Sequence, residues 1–255
     1  MTPGAVGSAL DWGDTTVAGR PVRLFRSSGW TGGTLVWAHG GSWTGGSVAD
    51  WHESCADLAV ASGWLVASVG YRLAPAHHHP AALHDVAGVV AWAGEATGRP
   101  VAVGGDSAGG TIAAGAALAL RGTRAAPVAQ VLAYPPLDPD CASPGYATGA
   151  FPSAAALRPA WRAYLGPAPV AEPAATPWHA GDLAGSPPSL LVVGEADPVA
   201  GDVRAYADRL GAAGVAVRLE VLRGLGHGEF LRPGRSPLRA ALAGALREFP
   251  RDTTS

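Results

Sequence analysis

The chain contains no lysine and no asparagine: all 18 of its basic side chains are arginine, and no N-glycosylation sequon exists. Charge is sparse. Only 15% of the 255 residues are charged, the formal net charge is −2, and no basic run appears, which argues against a nucleic-acid partner. Two cysteines, Cys55 and Cys141, with no CxxC spacing, exclude a disulfide scaffold and read as two small buried thiols. No apolar stretch reaches the roughly 18 residues of a membrane span, because glycine, proline, arginine or aspartate interrupts each candidate. The opening MTPGAVGSALDWGD lacks both a charged n-region and an apolar h-region, so the expectation is a cytoplasmic chain with no membrane partner. What is abundant is apolar character: 48% hydrophobic residues exclude a disordered chain and predict a sizeable buried core.

Short apolar runs alternate with segments of helical spacing. Residues 22–27, 34–39, 64–69, 101–105, 128–134, 189–194 and 215–222 read as strands, each short and bounded by glycine or proline. Near-continuous apolar strands are those buried on both faces, as in parallel sheets. Residues 50–62, 80–95, 108–121, 202–213 and 236–248 read as helices. The alternation predicts an α/β fold, a mostly parallel central sheet with helices on both faces. The expected organisation is one domain over 1–255 with a short N-terminal segment 1–20. Residues 138–188 break the rhythm: they are rich in Pro, Ala and Gly, carry Trp161, Tyr164 and Trp178, and are too long for a simple connection. They read as a small cap inserted into the core domain, with one or two short helices within FPSAAALRPAWRAYLG.

GGDSAGG holds a G-x-S-x-G at 105–109, placed after an expected strand and before an expected helix. A strand turning sharply into a helix strains its central residue and crowds its neighbours, so small residues flank it. The hydroxyl of Ser107 then stands at the carboxyl edge of the sheet, near a helix N-terminus that favours negative charge. The loop lacks both G-x-G-x-x-G and GK[ST], so a phosphate-binding loop is not expected. A serine nucleophile needs a base, and the base needs an orienting carboxylate. After Ser107 only His179 and His227 remain. His227 follows the last expected strand on a glycine-rich loop and is the expected base, whereas His179 lies in the insertion. GEADPVAGD offers Glu195, Asp197 and Asp202 at the end of the preceding strand. Asp197, before a proline, is the first choice for the acid. Glu195 is the second, and Asp202 suits a helix cap.

Acyl transfer needs preorganised N–H donors where negative charge develops. The amide of Ala108, next to the serine, is one expected donor. Gly40 and Gly41, in the loop closing TLVWAHGGSWTGG, are the others, since the backbone approaches a substrate there without a Cβ. His39 reads as a structural residue of this loop. The consecutive His77, His78 and His79 point in divergent directions with no acidic or Cys/His cluster nearby, so no metal site is expected.

HGGSW (39–43), YRLAPAHHHPAAL (71–83), GGDSAGG (104–110), GEADPV (194–199) and HGEF (227–230) together resemble the hormone-sensitive-lipase-like carboxylesterases of the α/β-hydrolase superfamily. That family carries HGGG, YRLAPEHPFPAA, GDSAGG, a DPL acid motif and HGF, and the matches run in order from about residue 20 to 248. The resemblance implies an α/β-hydrolase fold and a serine esterase acting on small carboxylic esters through an acyl-enzyme. It makes Ser107 the nucleophile, Asp197 the acid, His227 the base, and Gly40, Gly41 and Ala108 the oxyanion donors. It implies no cofactor, and a monomer or a homodimer paired through a sheet edge. The departures are Ser42 for the third glycine, leaving a third loop donor open, Ala76 for a glutamate, and His78 and His79 for Pro-Phe. The short N-terminal stretch implies a reduced cap and a more open pocket, with Trp43 and Trp178 as candidate lining residues. HGGSW also resembles the loop of arylformamidase-like amide hydrolases, and a biosynthetic acyl transferase or cyclase shares the scaffold. A non-catalytic binding protein is disfavoured because His227 is retained.

Overall fold

The computed structural model describes residues 10–248. Eight strands form one sheet in the order β1-β2-β4-β3-β5-β6-β7-β8. These are β1 (Leu10–Val17), β2 (Arg20–Ser27), β3 (Thr34–Ala38), β4 (Leu65–Val69), β5 (Val101–Asp106), β6 (Ala129–Ala133), β7 (Ser189–Gly194) and β8 (Val217–Leu222). From β4 through β8 every neighbouring pair is parallel, while β2 runs antiparallel to both β1 and β4. Strands β3, β5, β6 and β7 are buried at every position, as their unbroken apolar character demands.

One strand lies where only an N-terminal segment was expected. Of residues 1–20, positions 1–9 lie outside the described residues, but β1 pairs with β2 along its full length. Its two-residue connection is Ala18-Gly19, both at positive φ (48° and 75°), which matches the twist of a tight hairpin.

Helices α1 (His52–Ser62), α2 (Ala81–Thr97), α3 (Ala108–Leu120), α5 (Ala200–Ala212) and α6 (Pro237–Glu248) follow β3, β4, β5, β7 and β8. Helix α3 is apolar all round and almost wholly buried. Among the described residues no helix is long and apolar enough to cross a membrane.

Between β6 and β7 the chain makes α4 (Ala154–Leu165) and two 3-10 turns, Pro144–Ala147 and Pro177–His179. Ser153 caps α4 by accepting from the Ala156 amide at 3.3 Å. Its apolar face, Leu157, Trp161, Tyr164 and Leu165, recurs at helical spacing and is buried. The rest of this segment is tied down too. A Cβ on Gly115 of α3 would lie 2.1 Å from the Ala174 carbonyl oxygen, so the two backbones touch. Arg209 of α5 holds the carbonyls of Trp178 and Ala180.

Asp202 is not a helix cap. Helix α5 begins at Ala200, and the buried Asp202 carboxylate accepts from the amides of Leu137 and Asp138 and from the Tyr146 hydroxyl. It therefore anchors the start of the insertion. Burial pushes its carboxyl up from 3.8 to about 6.

Candidate active site

Ser107 stands at the turn from β5 into α3 with φ 51° and ψ −126°, a strained conformation for a residue with a Cβ. The turn is possible because the residues two positions to either side, Gly105 and Gly109, carry no side chain. A Cβ on Gly109 would sit 2.0 Å from the Ala38 carbonyl oxygen, and one on Gly105 would sit 2.4 Å from the Gly109 carbonyl. The turn is also tied to the next strand, as the Ser107 amide donates to the Ala133 carbonyl at 2.9 Å.

The loop after β8 brings His227 to this serine. Its Nε2 lies 2.9 Å from Ser107 Oγ. Its Nδ1 lies 2.9 and 3.0 Å from the two carboxylate oxygens of Asp197. A carboxylate only accepts, so Nδ1 carries the hydrogen and Nε2 is left to accept from the serine hydroxyl. The side chains of His227 and Asp197 are 4% and 0% exposed. The structure thus brings together Ser107, Asp197 and His227, which are up to 120 residues apart in the chain. Glu195 stays outside and accepts from the Gly224 amide. His179 is exposed in the turn Pro177–His179.

The imidazole is framed by aromatic rings. The buried Tyr134 stands edge-on at 4.7 Å, and Phe151 of the insertion stands edge-on at 5.7 Å. The Tyr134 hydroxyl accepts from the Phe230 amide and donates to Asp106 Oδ2.

Asp106, beside the serine, is a hub that motif reading passed over. Its Oδ1 accepts from the indole N–H groups of Trp37 (3.1 Å) and Trp51 (2.8 Å) and from the Gly40 amide (3.2 Å). It is 2% exposed. Burial raises its carboxyl from 3.8 to about 6, while the indole and amide donors pull the other way.

The Gly40 bond corrects one expectation. That amide is committed to Asp106, so it is not a free oxyanion donor. Among the described residues the amides of Gly41, Ser42 and Ala108 donate to no protein acceptor. Gly41 has φ 113°, and a Cβ there would meet the Gly45 carbonyl at 2.2 Å. Ser42 and Trp43 follow at φ 52° and 60°, two successive left-handed residues without the freedom of glycine. His39 is buried, stacked on Tyr71 at 4.3 Å, and its Nδ1–H donates to the Gly40 carbonyl at 2.7 Å. Burial lowers its pKa, so it serves this loop as a neutral imidazole.

The two candidate pocket tryptophans take different places. Trp43 is 1% exposed, with Trp161 at 4.3 Å and Tyr164 stacked at 5.1 Å, so it packs inside rather than facing solvent. Trp178 is half-buried in the turn Pro177–His179. His78 and His79, which replace Pro-Phe, bind the end of α4: His78 Nδ1–H donates to the Ala163 carbonyl, and the His79 amide donates to the Tyr164 carbonyl. Among the described residues no three His, Cys, Asp or Glu side chains converge as a metal site.

Fold and site together define an α/β hydrolase with a Ser–His–Asp hydrogen-bond chain at the carboxyl edge of its sheet. Comparison with known proteins agrees. A family model described as "alpha/beta hydrolase fold" matches residues 35–231. An ethyl acetate hydrolase of Pseudomonas putida is 36% identical over 230 residues, 84% of this chain and 72% of that protein. Among solved structures, the esterase LipW from Mycobacterium marinum superposes with a TM-score of 0.85 at 34% identity, over 94% of this chain and 81% of that one. An esterase of the bacterial hormone-sensitive lipase family superposes with a TM-score of 0.87 at 29% identity, over 96% and 86%. The chain belongs to the hormone-sensitive-lipase-like carboxylesterase family of the α/β hydrolases, enzymes that hydrolyse carboxylic esters. It spans 60–72% of the length of five curated esterase relatives.

Proposed function

We propose that ester hydrolysis by this chain runs through an acyl-enzyme on Ser107 and acts on small carboxylic esters. His227 Nε2 takes the hydroxyl proton as Ser107 Oγ attacks the carbonyl carbon. Asp197 holds the imidazole in the required tautomer and stabilises the imidazolium. The oxyanion settles against the amides of Gly41, Ser42 and Ala108, where each donor is worth about 3 kcal/mol. The bond to the alcohol oxygen then breaks, and that oxygen takes the proton from Nε2. Water, deprotonated by the same nitrogen, releases the acid and restores Ser107.

The observation that carries this reading is the unbroken chain Ser107 Oγ, His227 Nε2 at 2.9 Å, and His227 Nδ1 to Asp197 at 2.9 Å. Ester rather than amide chemistry follows the relatives, whose names are those of esterases. No step calls for a metal or an organic cofactor. We assign residues 138–188 the role of a small cap.

A fluorophosphonate probe, combined with a p-nitrophenyl ester panel on wild type and Ser107→Ala, tests the mechanism. The expected result is a mass adduct on Ser107 and loss of turnover in the variant. A folded wild type that takes no label, or undiminished turnover in Ser107→Ala, overturns it.

A further inference from the structure

We propose that Phe151 is the wall of the subsite that receives the alcohol half of the ester, and that this subsite selects apolar alkyl and aryl alcohols. The inference rests on the hydrolytic reading above and adds a specificity-determining residue to it.

Phe151 is 68% exposed, an unusual setting for a phenyl ring, yet its ring stands edge-on to the His227 imidazole at 5.7 Å. An isolated apolar side chain on a surface needs no explanation. An apolar ring held in water against the base of a hydrolytic site does.

The segment bearing Phe151 is fixed at both ends to the site's own supports. On one side, the turn Pro144–Ala147 docks beside the acid. A Cβ on Gly145 would lie 2.3 Å from the Pro198 carbonyl oxygen, next to Asp197. The Tyr146 hydroxyl donates to Asp202 at 2.7 Å. On the other side, Ser153 starts α4, whose Trp161 and Tyr164 pack on Trp43, next to Ser42. Within the span, Thr148 Oγ1 donates to the Gly145 carbonyl and accepts from the Ala150 amide. The chain therefore runs from the acid's turn to the oxyanion loop, with Phe151 between them against the imidazole.

Chemistry then says which half of the substrate meets this ring. The acyl carbon is bonded to Ser107 Oγ, and its oxygen faces the amides of Gly41, Ser42 and Ala108. The leaving oxygen must reach His227 Nε2 to collect its proton. Tyr134 is fully buried, so it closes the imidazole on the protein side. Phe151 is the exposed ring at that imidazole, and the alcohol departs to solvent past it. A phenyl ring offers dispersion and edge-to-face contact and no hydrogen bond, so it favours apolar alkyl or aryl groups.

The test separates the two halves of the ester. One series keeps the acetyl group and varies the alcohol: methyl, butyl, hexyl and phenyl acetate. The other keeps ethanol and lengthens the acid from acetate to hexanoate. kcat/KM reports acylation, the step in which the alcohol is present, while every acetate shares one acetyl-enzyme. With Phe151→Ala, kcat/KM for hexyl and phenyl acetate is expected to fall about 3- to 10-fold. Methyl acetate and ethyl hexanoate should stay within about twofold, and Phe151→Leu should recover most of the hexyl acetate rate. Because the side chain is largely exposed, the melting temperature should move by less than about 2 °C.

A uniform change across both series, or a loss that follows acyl length, overturns the proposal while leaving the hydrolytic reading intact. A wild type that turns over no ester of either series overturns that reading and this one with it.

Discussion

Replacing Asp106 by asparagine tests whether the carboxylate at the hub of the site carries an electrostatic cost. Burial at 2% exposure lifts its carboxyl from 3.8 to about 6. In the unfolded chain it ionises near 3.8, and in the folded protein only near 6. Its protonated form is thus favoured by folding. The associated stability is fully present below about pH 4 and is lost as pH rises through about 6. At 1.36 kcal/mol per unit the whole displacement corresponds to about 3 kcal/mol. The folded protein bears this cost because ionised Asp106 still gathers Trp37, Trp51 and Gly40 on one oxygen. Asparagine is the right probe. Its amide oxygen keeps those three donors, and its NH2 faces the Tyr134 hydroxyl, which donates to Asp106 in the wild type and accepts from the amide in the variant, a change that is the same at every pH. Asparagine does not titrate, and Asp202, shifted in the same direction, is common to both proteins and cancels in the difference. Urea unfolding at pH 4.5 and pH 8 should show the variant gaining on wild type by about 2 kcal/mol as pH rises, with equal m values. A wild-type-minus-variant difference that does not change with pH refutes the reasoning.

Further substitutions probe the oxyanion loop, the serine turn and helix α5. Trp161→Leu loosens the packing that holds Ser42 and Trp43 in left-handed backbone, so kcat on p-nitrophenyl acetate should fall about 10-fold or more with KM nearly unchanged, and Trp161→Phe should restore most of it. Equal kcat in a folded Trp161→Leu would contradict the link. Gly109→Ala would force a Cβ to 2.0 Å from the Ala38 carbonyl and should yield no soluble active protein, whereas Gly211→Ala, in open space near the end of α5, should raise the unfolding free energy by up to about 1 kcal/mol in urea titrations.

The parallel part of the sheet was legible because strands buried on both faces write their burial into the chain as apolar runs. Strand β1 was not. LDWGDTTV is polar, holds a glycine and faces solvent at six of eight positions, so neither run nor alternation marks it. Its turn, Ala18-Gly19, lacks the asparagine or aspartate that announces a tight hairpin. Helix α4 was legible in part through the spacing of Leu157, Trp161, Tyr164 and Leu165. At the site, the positions that meet were readable from chain order and flanking glycines. The roles of Gly40 and Ser42 were not, because motif spacing locates a loop without its torsions. Asp106 was hidden for another reason. The generic G-x-S-x-G leaves its position open, the family's GDSAGG includes it without saying what it binds, and its partners Trp37 and Trp51 lie 69 and 55 residues away. Only their convergence in space turns an unremarked aspartate into the group joining the serine turn to the oxyanion loop.

The same convergence bears on what the insertion does. A lid that swings as a body would show a large unpacked face and few bonds to the core. Residues 138–188 show the reverse. Asp202 holds their start, Trp43 receives α4, Gly115 of α3 lies against Ala174, and Arg209 and Arg121 bind carbonyls near their end. Trp161, Tyr164 and Thr176 are at most 1% exposed, as interior as the sheet. Moving this segment as a unit would open buried aromatic surface at about 25 cal/mol per Å2, at 150–250 Å2 for each large ring, a cost of several kcal/mol per aromatic. Such a cost disfavours movement of the segment as a body and leaves the exposed stretch around Phe151, between the Tyr146 and Ser153 anchors, as its least restrained part. Along most of its length the insertion is packed on the core, with Trp161 and Tyr164 against Trp43 of the 39–43 loop, and it is exposed along the short arc that carries Phe151.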